Sequence, residues 1–354
     1  MSIKISSIQG ISTMSANPIN RWFRTNPDIS NRNPNWNFYT FQGTVAGYAS
    51  GGGVNATRYN IIDKFPFATN ANATDIGDLT VSRSSCRGQS SDASGYTSGG
   101  SIPVSPFNSN VIDKFPFATN ANATDVGDLT VVRDHAAGQS STASGYTSGG
   151  IDPGFPNVID KFPFATDANA TDVGDLTVAR GGSGQSSTVG GYTSGGQRAS
   201  QPSPAIPFYI LNVIDKFPFA TDANATDVGD LSRLYGDQAG QSSDVNGYTS
   251  GGYTRASPGL PLPGNPTVLS NNIEKFPFAT NSNAANVADL SQSRADGAGQ
   301  SSNASGYTSG GQTASVPTTV YVNTIDKFPF ATDTSATDVG DLTVVRSSAA
   351  GQQN

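Results

Sequence analysis

The sequence predicts an all-β chain that closes into a six-bladed propeller behind an extended N-terminal arm. Three observations predict it. The nineteen-residue segment VIDKFPFATDANATDVGDL at Val158–Leu176 returns unchanged at Val213–Leu231 and four more times with small edits. Each copy sits in a unit of roughly 50 residues with room for four short strands, which is the arithmetic of a propeller blade. The composition agrees: 40 Gly, 35% hydrophobic and only 13% charged residues suit short strands and tight turns, not helical bundles.

Two marks set the register. The Lys of the KFPF run falls at Lys64, Lys114, Lys161, Lys216, Lys275 and Lys327, with spacings of 50, 47, 55, 59 and 52. From each of the first five to the next Gly-Tyr (Gly95, Gly145, Gly191, Gly247, Gly306) the distance is 30 or 31. Length variation is therefore confined to the stretch between SGG and the next KFPF. Each unit has a rigid part and one free insert.

Within a unit, NVIDKFPF is a β-branched and aromatic run, and VGDLTVVR (Val126–Arg133) alternates in the manner of a strand. GYTSGG ends a third run in paired glycines, and AGQSS supplies a fourth extended piece. The ATDANATD segment between two strands is turn chemistry, because Asp and Asn side chains bond their own backbone. Pro116 and its equivalents cannot donate within a central strand, which places them at a strand end or a bulge.

Read from Arg133 through SGYTSGG to Gly150, then NVIDKFPFATDANATDVGDL and on to Arg180, the unit resembles the kelch repeat. The likeness runs from about Phe38 to the C-terminus and implies a propeller. The chain departs from that pattern in lacking a Trp in the outer strand, where Val126 or Val173 stands, and in carrying Ser and Thr before the double Gly. The C-terminal LTVVRSSAAGQQN matches the start of a further unit, while the N-terminal side enters mid-unit at VAGYASGG. The two fragments complement each other as one blade, with Asn37–Gly43 as a competing inner strand. The domains expected are an arm over residues 1–37 and a propeller over 38–354.

The net charge of −7 speaks against an electrostatic grip on nucleic acid or an anionic membrane. No run approaches the roughly 20 apolar residues of a membrane-spanning helix, so no membrane insertion is expected. The single cysteine, Cys86, excludes an internal disulfide, and the first residues lack an apolar secretion core. Synthesis in a reducing cytoplasm is the expectation.

Catalytic chemistry is hard to assemble. His135 is the only histidine, and its slot holds Ser85, Gly182 and Ser348 in other units, so it reads as tolerated there. No catalytic residue, metal ligand or cofactor is assigned. A carboxylate pair for glycoside hydrolysis is possible by composition, but the acids mostly recur in every unit, which suits structure better. DANATDVGD (Asp167–Asp175) offers alternating oxygens but lacks the sixth-position Gly and closing Glu of a calcium loop, so it reads as a turn. The recurrent Lys and Arg are read as partners of the Asp63- and Asp78-type carboxylates.

The residues that break the repeat are the informative ones. The inserts carry Phe107, Phe155, Phe208, Tyr209, Tyr253, Arg255, Leu260, Leu262 and Tyr321. Equivalent loops of a propeller emerge on one face, where they serve recognition or pack against each other. The arm holds Arg21, Trp22, Phe23, Arg24 and Trp36 and reads as a docking segment or a cover. The IDKFPFAT…DVGDLT…GQSS…GYTSGG unit also resembles kelch-like structural proteins of marine bacteriophages, cyanophages especially. That resemblance implies a non-enzymatic virion protein, a capsid decoration or tail-fibre component. It would bind other virion proteins through the arm, and a host-surface glycan or protein through the loops. A cellular interaction scaffold and a carbohydrate-active propeller enzyme are the alternatives.

Overall fold

The computed structural model describes residues 42–151, 156–199, 208–255, 267–314 and 319–354, and among them every regular element is a strand. Six antiparallel sheets of four principal strands follow one another around a central channel. The third blade shows the pattern: Ala137–Ser140 lies innermost, followed by Ser144–Ser148, Val158–Pro163 and Thr171–Asp175. Its register pairs Gln139 with Tyr146, Tyr146 with Lys161, and Lys161 with Thr171. Blades 2, 4, 5 and 6 begin with inner strands Arg87–Ser90, Ser183–Ser186, Ala239–Ser242 and Ala298–Ser301.

Blade 1 is assembled from both ends of the propeller. Ala350–Gln353 pairs with Ala46–Ser50, which continues to Ile61–Pro66 and Thr74–Asp78. Each inner strand therefore has inner-strand neighbours on both sides, and the ring of blades closes without a gap. Of the competing Asn37–Gly43 segment only its last two residues are described; Gly43 makes an isolated parallel bridge to Ser302.

Local chemistry explains the strand limits. The third strand of each repeat stops at proline, as in Val111–Pro116, where no further ladder donor is required. The outer strand is shorter than the alternation of Val126–Arg133 predicts: it spans Thr124–Asp128. Beyond it the Leu129 N–H goes to the Asn110 carbonyl, and the Thr130 N–H and hydroxyl go to Asp160 of the next blade. Capture by the neighbouring blade overrides the β pattern. In blade 4 the same strand runs on over Thr226–Tyr235.

The apolar core lies between blades. Tyr96, Ile112 and Leu129 of blade 2 cluster with Phe162 and Ala170 of blade 3, with Val126 and Phe164 packed alongside, and the grouping recurs around the ring. Tyr96 stacks on Phe164 at 4.8 Å and tilts against Phe162 at 5.5 Å. The glycine before each such Tyr makes room for the aromatic ring: a Cβ on Gly145 would stand 2.2 Å from the Phe162 ring.

Polar bonds stitch the same seams. Arg133 reaches from the end of blade 2 into blade 3, where it meets Asp160 at 2.5 Å and the carbonyls of Thr147 and Val158. Both charged side chains are fully buried, and the pair recurs as Arg83–Asp113, Arg180–Asp215, Arg294–Asp326 and Arg346–Asp63. The seam between blades 4 and 5 differs: Tyr235 replaces the arginine and Glu274 the aspartate, and Glu274 is held by Ser232 through its N–H and hydroxyl. The serines and threonines before each double Gly, with the inner-strand glutamines, complete the lattice. Gln89 Nε2 donates to Ser98 Oγ, to the Tyr146 carbonyl and to Thr147 Oγ1 of the next blade.

The ANATD segments are clasps. Asn169 Oδ1 accepts from the Asp128 N–H of the preceding blade, and the Ala170 N–H donates to the Asp128 carbonyl. Asn72, Asn122, Asn224 and Asn283 do the same elsewhere. Lys114, Lys161 and Lys275 pair with Asp167, Asp222 and Asp333, whereas Lys64, Lys216 and Lys327 lie over the rings of Tyr48, Tyr192 and Tyr307.

Candidate functional site: the channel mouth and the insert face

The inner strands approach so closely that a Cβ on Gly184 would stand 2.1 Å from the Gly138 carbonyl oxygen. They enclose a cavity of about 90 Å3 lined by residues such as Gln139, Ser140, Gln185 and Gln241. That volume accommodates a few waters.

One end of the channel is ringed by the residues that lead into the inner strands: Ser85, His135, Gly182, Asp237, Asp296 and Ser348. The Ser85 N–H donates to Ser348, His135 to Ser85, Gly182 to His135, Asp296 to Asp237 and Ser348 to Asp296, at 2.7–3.2 Å. Five of the six adopt left-handed backbone, with φ of 54° at Ser85, 48° at His135, 52° at Asp237, 59° at Asp296 and 57° at Ser348. That conformation favours small polar residues and His.

The inserts start beside this ring. Ile151 bridges to Asp134, Tyr253 to Gly236, Gln312 to Ala295 and Ser101 to Ser84, so inserts and ring share one face. Among the described residues, several inserts leave and rejoin the blade as β-ribbons. Gln197–Ala199 pairs with the start of Phe208–Pro218, Tyr253–Arg255 with Thr267–Leu269, and Ser305–Ala314 with Val320–Pro329.

On this face His135, Asp237 and Asp296 converge, with ligand-capable atoms within 4.8 Å of one another. His135 Nδ1 stands 3.2 Å from Asp134 Oδ1, an ion-pair contact without the alignment of a full hydrogen bond, and Nε2 lies 3.3 Å from Ser85 Oγ. Burial lowers the imidazole's affinity for protons, but Asp134 and the field of Asp237 outweigh it and raise the pKa to about 9. Burial and the charge of Asp237 push the Asp296 carboxyl up to about 7, against the pull of His135 and Ser348. Gln312 Nε2 donates to Asp296 Oδ2 at 2.8 Å, and Gln197 Nε2 to Asp237 Oδ1 at 3.4 Å.

His135 is thus part of a cluster and not an isolated tolerated side chain. Sequence reasoning compared its slot with Ser85, Gly182 and Ser348 and left out Asp237 and Asp296, the two slots that hold acids. A column-by-column alignment of all six units supplies that signal.

Of the insert residues, Phe107 is 63% exposed and Tyr209 39% exposed, with the Arg198 guanidinium 6.0 Å from the Tyr209 ring. Tyr253 donates its hydroxyl to Gln197 Oε1 at 3.0 Å, and Tyr321 accepts from the Asn55 N–H of the neighbouring insert at 3.1 Å. Those two tyrosines pack loop against loop. Phe208 and Arg255 contribute backbone to the ribbons. Phe155, Leu260 and Leu262 lie outside the described residues, as do Arg21, Trp22, Phe23, Arg24 and Trp36 of the arm.

The closed ring of six four-stranded sheets defines the class: a six-bladed β-propeller. No family model matches the chain, and no curated protein matches its sequence. Among solved structures it is similar to one described as "Structure of YjhT", with a TM-score of 0.59 at 14% identity, covering 84% of this chain and 98% of that one. At that identity the likeness shows the fold.

Proposed function

We propose that this propeller is a non-enzymatic structural protein of a bacteriophage virion, a capsid decoration or tail-fibre component, built on a kelch-like repeat. Its insert face would meet a host-surface glycan or protein, and its residues 1–37 would dock it to other virion proteins. One observation carries the reading: the departures from the repeat gather on a single face, while the seams and turns elsewhere are near-copies of one unit. Variable segments on a rigid frame are where recognition sits. The exposed Phe107 and Tyr209 offer flat apolar surface of the kind that stacks on sugar rings or protein side chains. The resemblance of the repeat to marine-phage structural proteins supplies the setting.

The test is quantitative mass spectrometry of purified particles from the virus that encodes the chain. A fixed, multiple copy number per particle supports a virion component. Presence in infected cells with absence from particles overturns it.

A further inference from the structure

We infer that His135, Asp237 and Asp296 form a site for one divalent transition-metal ion that ties blades 3, 5 and 6 together across the channel mouth. The inference does not depend on the virion reading, because it concerns three side chains and their surroundings.

The first support is convergence. The three residues enter different blades, are separated by 102 and 59 positions in the chain, and still bring one ligand atom each within 4.8 Å of the others. Ligands bound to such an ion at about 2.0–2.2 Å stand roughly 3–4 Å apart. Side-chain adjustment of about an ångström therefore closes the set, with water completing the coordination shell.

The second support is that each ligand has an outer partner. Asp134 Oδ1 faces His135 Nδ1 at 3.2 Å, which leaves Nε2 for the ion once the rotatable Ser85 hydroxyl turns aside. Gln312 and the Ser348 hydroxyl donate to the two oxygens of Asp296 at 2.8 and 3.1 Å. Gln197 donates to Asp237 at 3.4 Å, and its own carbonyl oxygen is held by the Tyr253 hydroxyl. Carboxylate or amide partners behind the ligands orient metal sites in this way.

The third support comes from the repeat. The column of Asp134 holds Ser84, Gly181, Gly236, Ala295 and Ser347 in the other blades, and the ligand column otherwise holds Ser85, Gly182 and Ser348. Left-handed backbone accounts for a Ser, an Asp or a His taken singly. It does not account for a histidine that arrives with its own carboxylate and faces two further acids. Arg87, the nearby cation, is engaged with the carbonyls of Ala136 and Cys86. One imidazole and two carboxylates suit Zn2+, Co2+, Mn2+ or Fe2+ better than the all-oxygen shells of Ca2+, and the two carboxylates balance the charge of a dication.

The experiment strips the full-length protein with chelator and titrates it with Co2+, following visible d–d absorption and stoichiometry, with melting measured in Zn2+. The expected result is one ion per chain and a higher melting temperature in Zn2+. His135→Ser and Asp296→Ser install the residue found in sister blades at φ of 54° and 57°, so the fold is retained while one-to-one binding is lost. Asp134→Ser should weaken affinity about 10- to 100-fold. Absence of stoichiometric Co2+ absorption in the wild-type protein overturns the site and leaves a direct His–carboxylate ion-pair cluster. Equal binding by His135→Ser overturns it as well.

Discussion

The seams between blades and the mouth of the channel are built from the same repeat and have diverged in opposite ways. At the seams, five of six carry a buried Arg–Asp pair, and all six carry a Tyr stacked on the next blade's Phe. At the mouth, the ring of six positions holds three serines or glycines, one histidine and two aspartates. The seam must satisfy a buried charge and an aromatic stack at each interface, so a change on one side needs a matching change on the other. Tyr235 with Glu274 is such a paired change. The mouth has a looser requirement, left-handed backbone and a small or polar side chain, and that freedom admits the cluster of His135, Asp237 and Asp296.

The comparison can be broken most severely at the closure. Deleting Ala350–Asn354 removes the inner strand of blade 1 and the Gln352 bonds to Ser50, Tyr96 and Thr97. Loss of cooperative melting with aggregation is expected, read by calorimetry and light scattering. Next comes Asp160→Ala, which strands the buried Arg133 and should lower unfolding free energy by about 3–5 kcal/mol in denaturant titration. Glu274→Gln sharpens the contrast: no arginine is left unpaired in that seam, and the same titration should show a loss of only about 1–2 kcal/mol. Asn169→Ala removes one clasp at the exposed rim and should cost about 0.5–1.5 kcal/mol. Lys114→Met breaks a pair whose Asp167 is more than half exposed, so a change within about 0–1 kcal/mol is expected.

Much of the seam was legible in the sequence, because a nineteen-residue segment written six times, with a Gly-Tyr tag in every unit, fixes register, blade number and the constancy of the Phe and Tyr positions. The missing donor of Pro116 limits it to a strand end or a bulge, and the structure ends Val111–Pro116 there. The outer strand was misjudged beyond Asp128, since the groups that capture Thr130 belong to Asp160, thirty residues away and in another blade. The mouth was illegible for a related reason. Its three charged residues come from different units and meet only across the channel, and nothing local in RDHAAG or YGDQAG announces that meeting. The insert ribbons went unread because the inserts differ in length and sequence from unit to unit, although the pairing of Gln197–Ala199 with Phe208 onward simply prolongs a blade strand outward.

The proposed division between a repeated frame and a single recognition face is tested most directly by replacing the inserts of blades 4, 5 and 6. The variant keeps Gln197 and Gln312, puts the short insert of blade 3 elsewhere in those stretches, and is compared with wild type in particle adsorption to host cells and in melting. Adsorption should fall at least tenfold while the melting transition stays single and cooperative. Unchanged adsorption by a folded variant would contradict the assignment of recognition to that face.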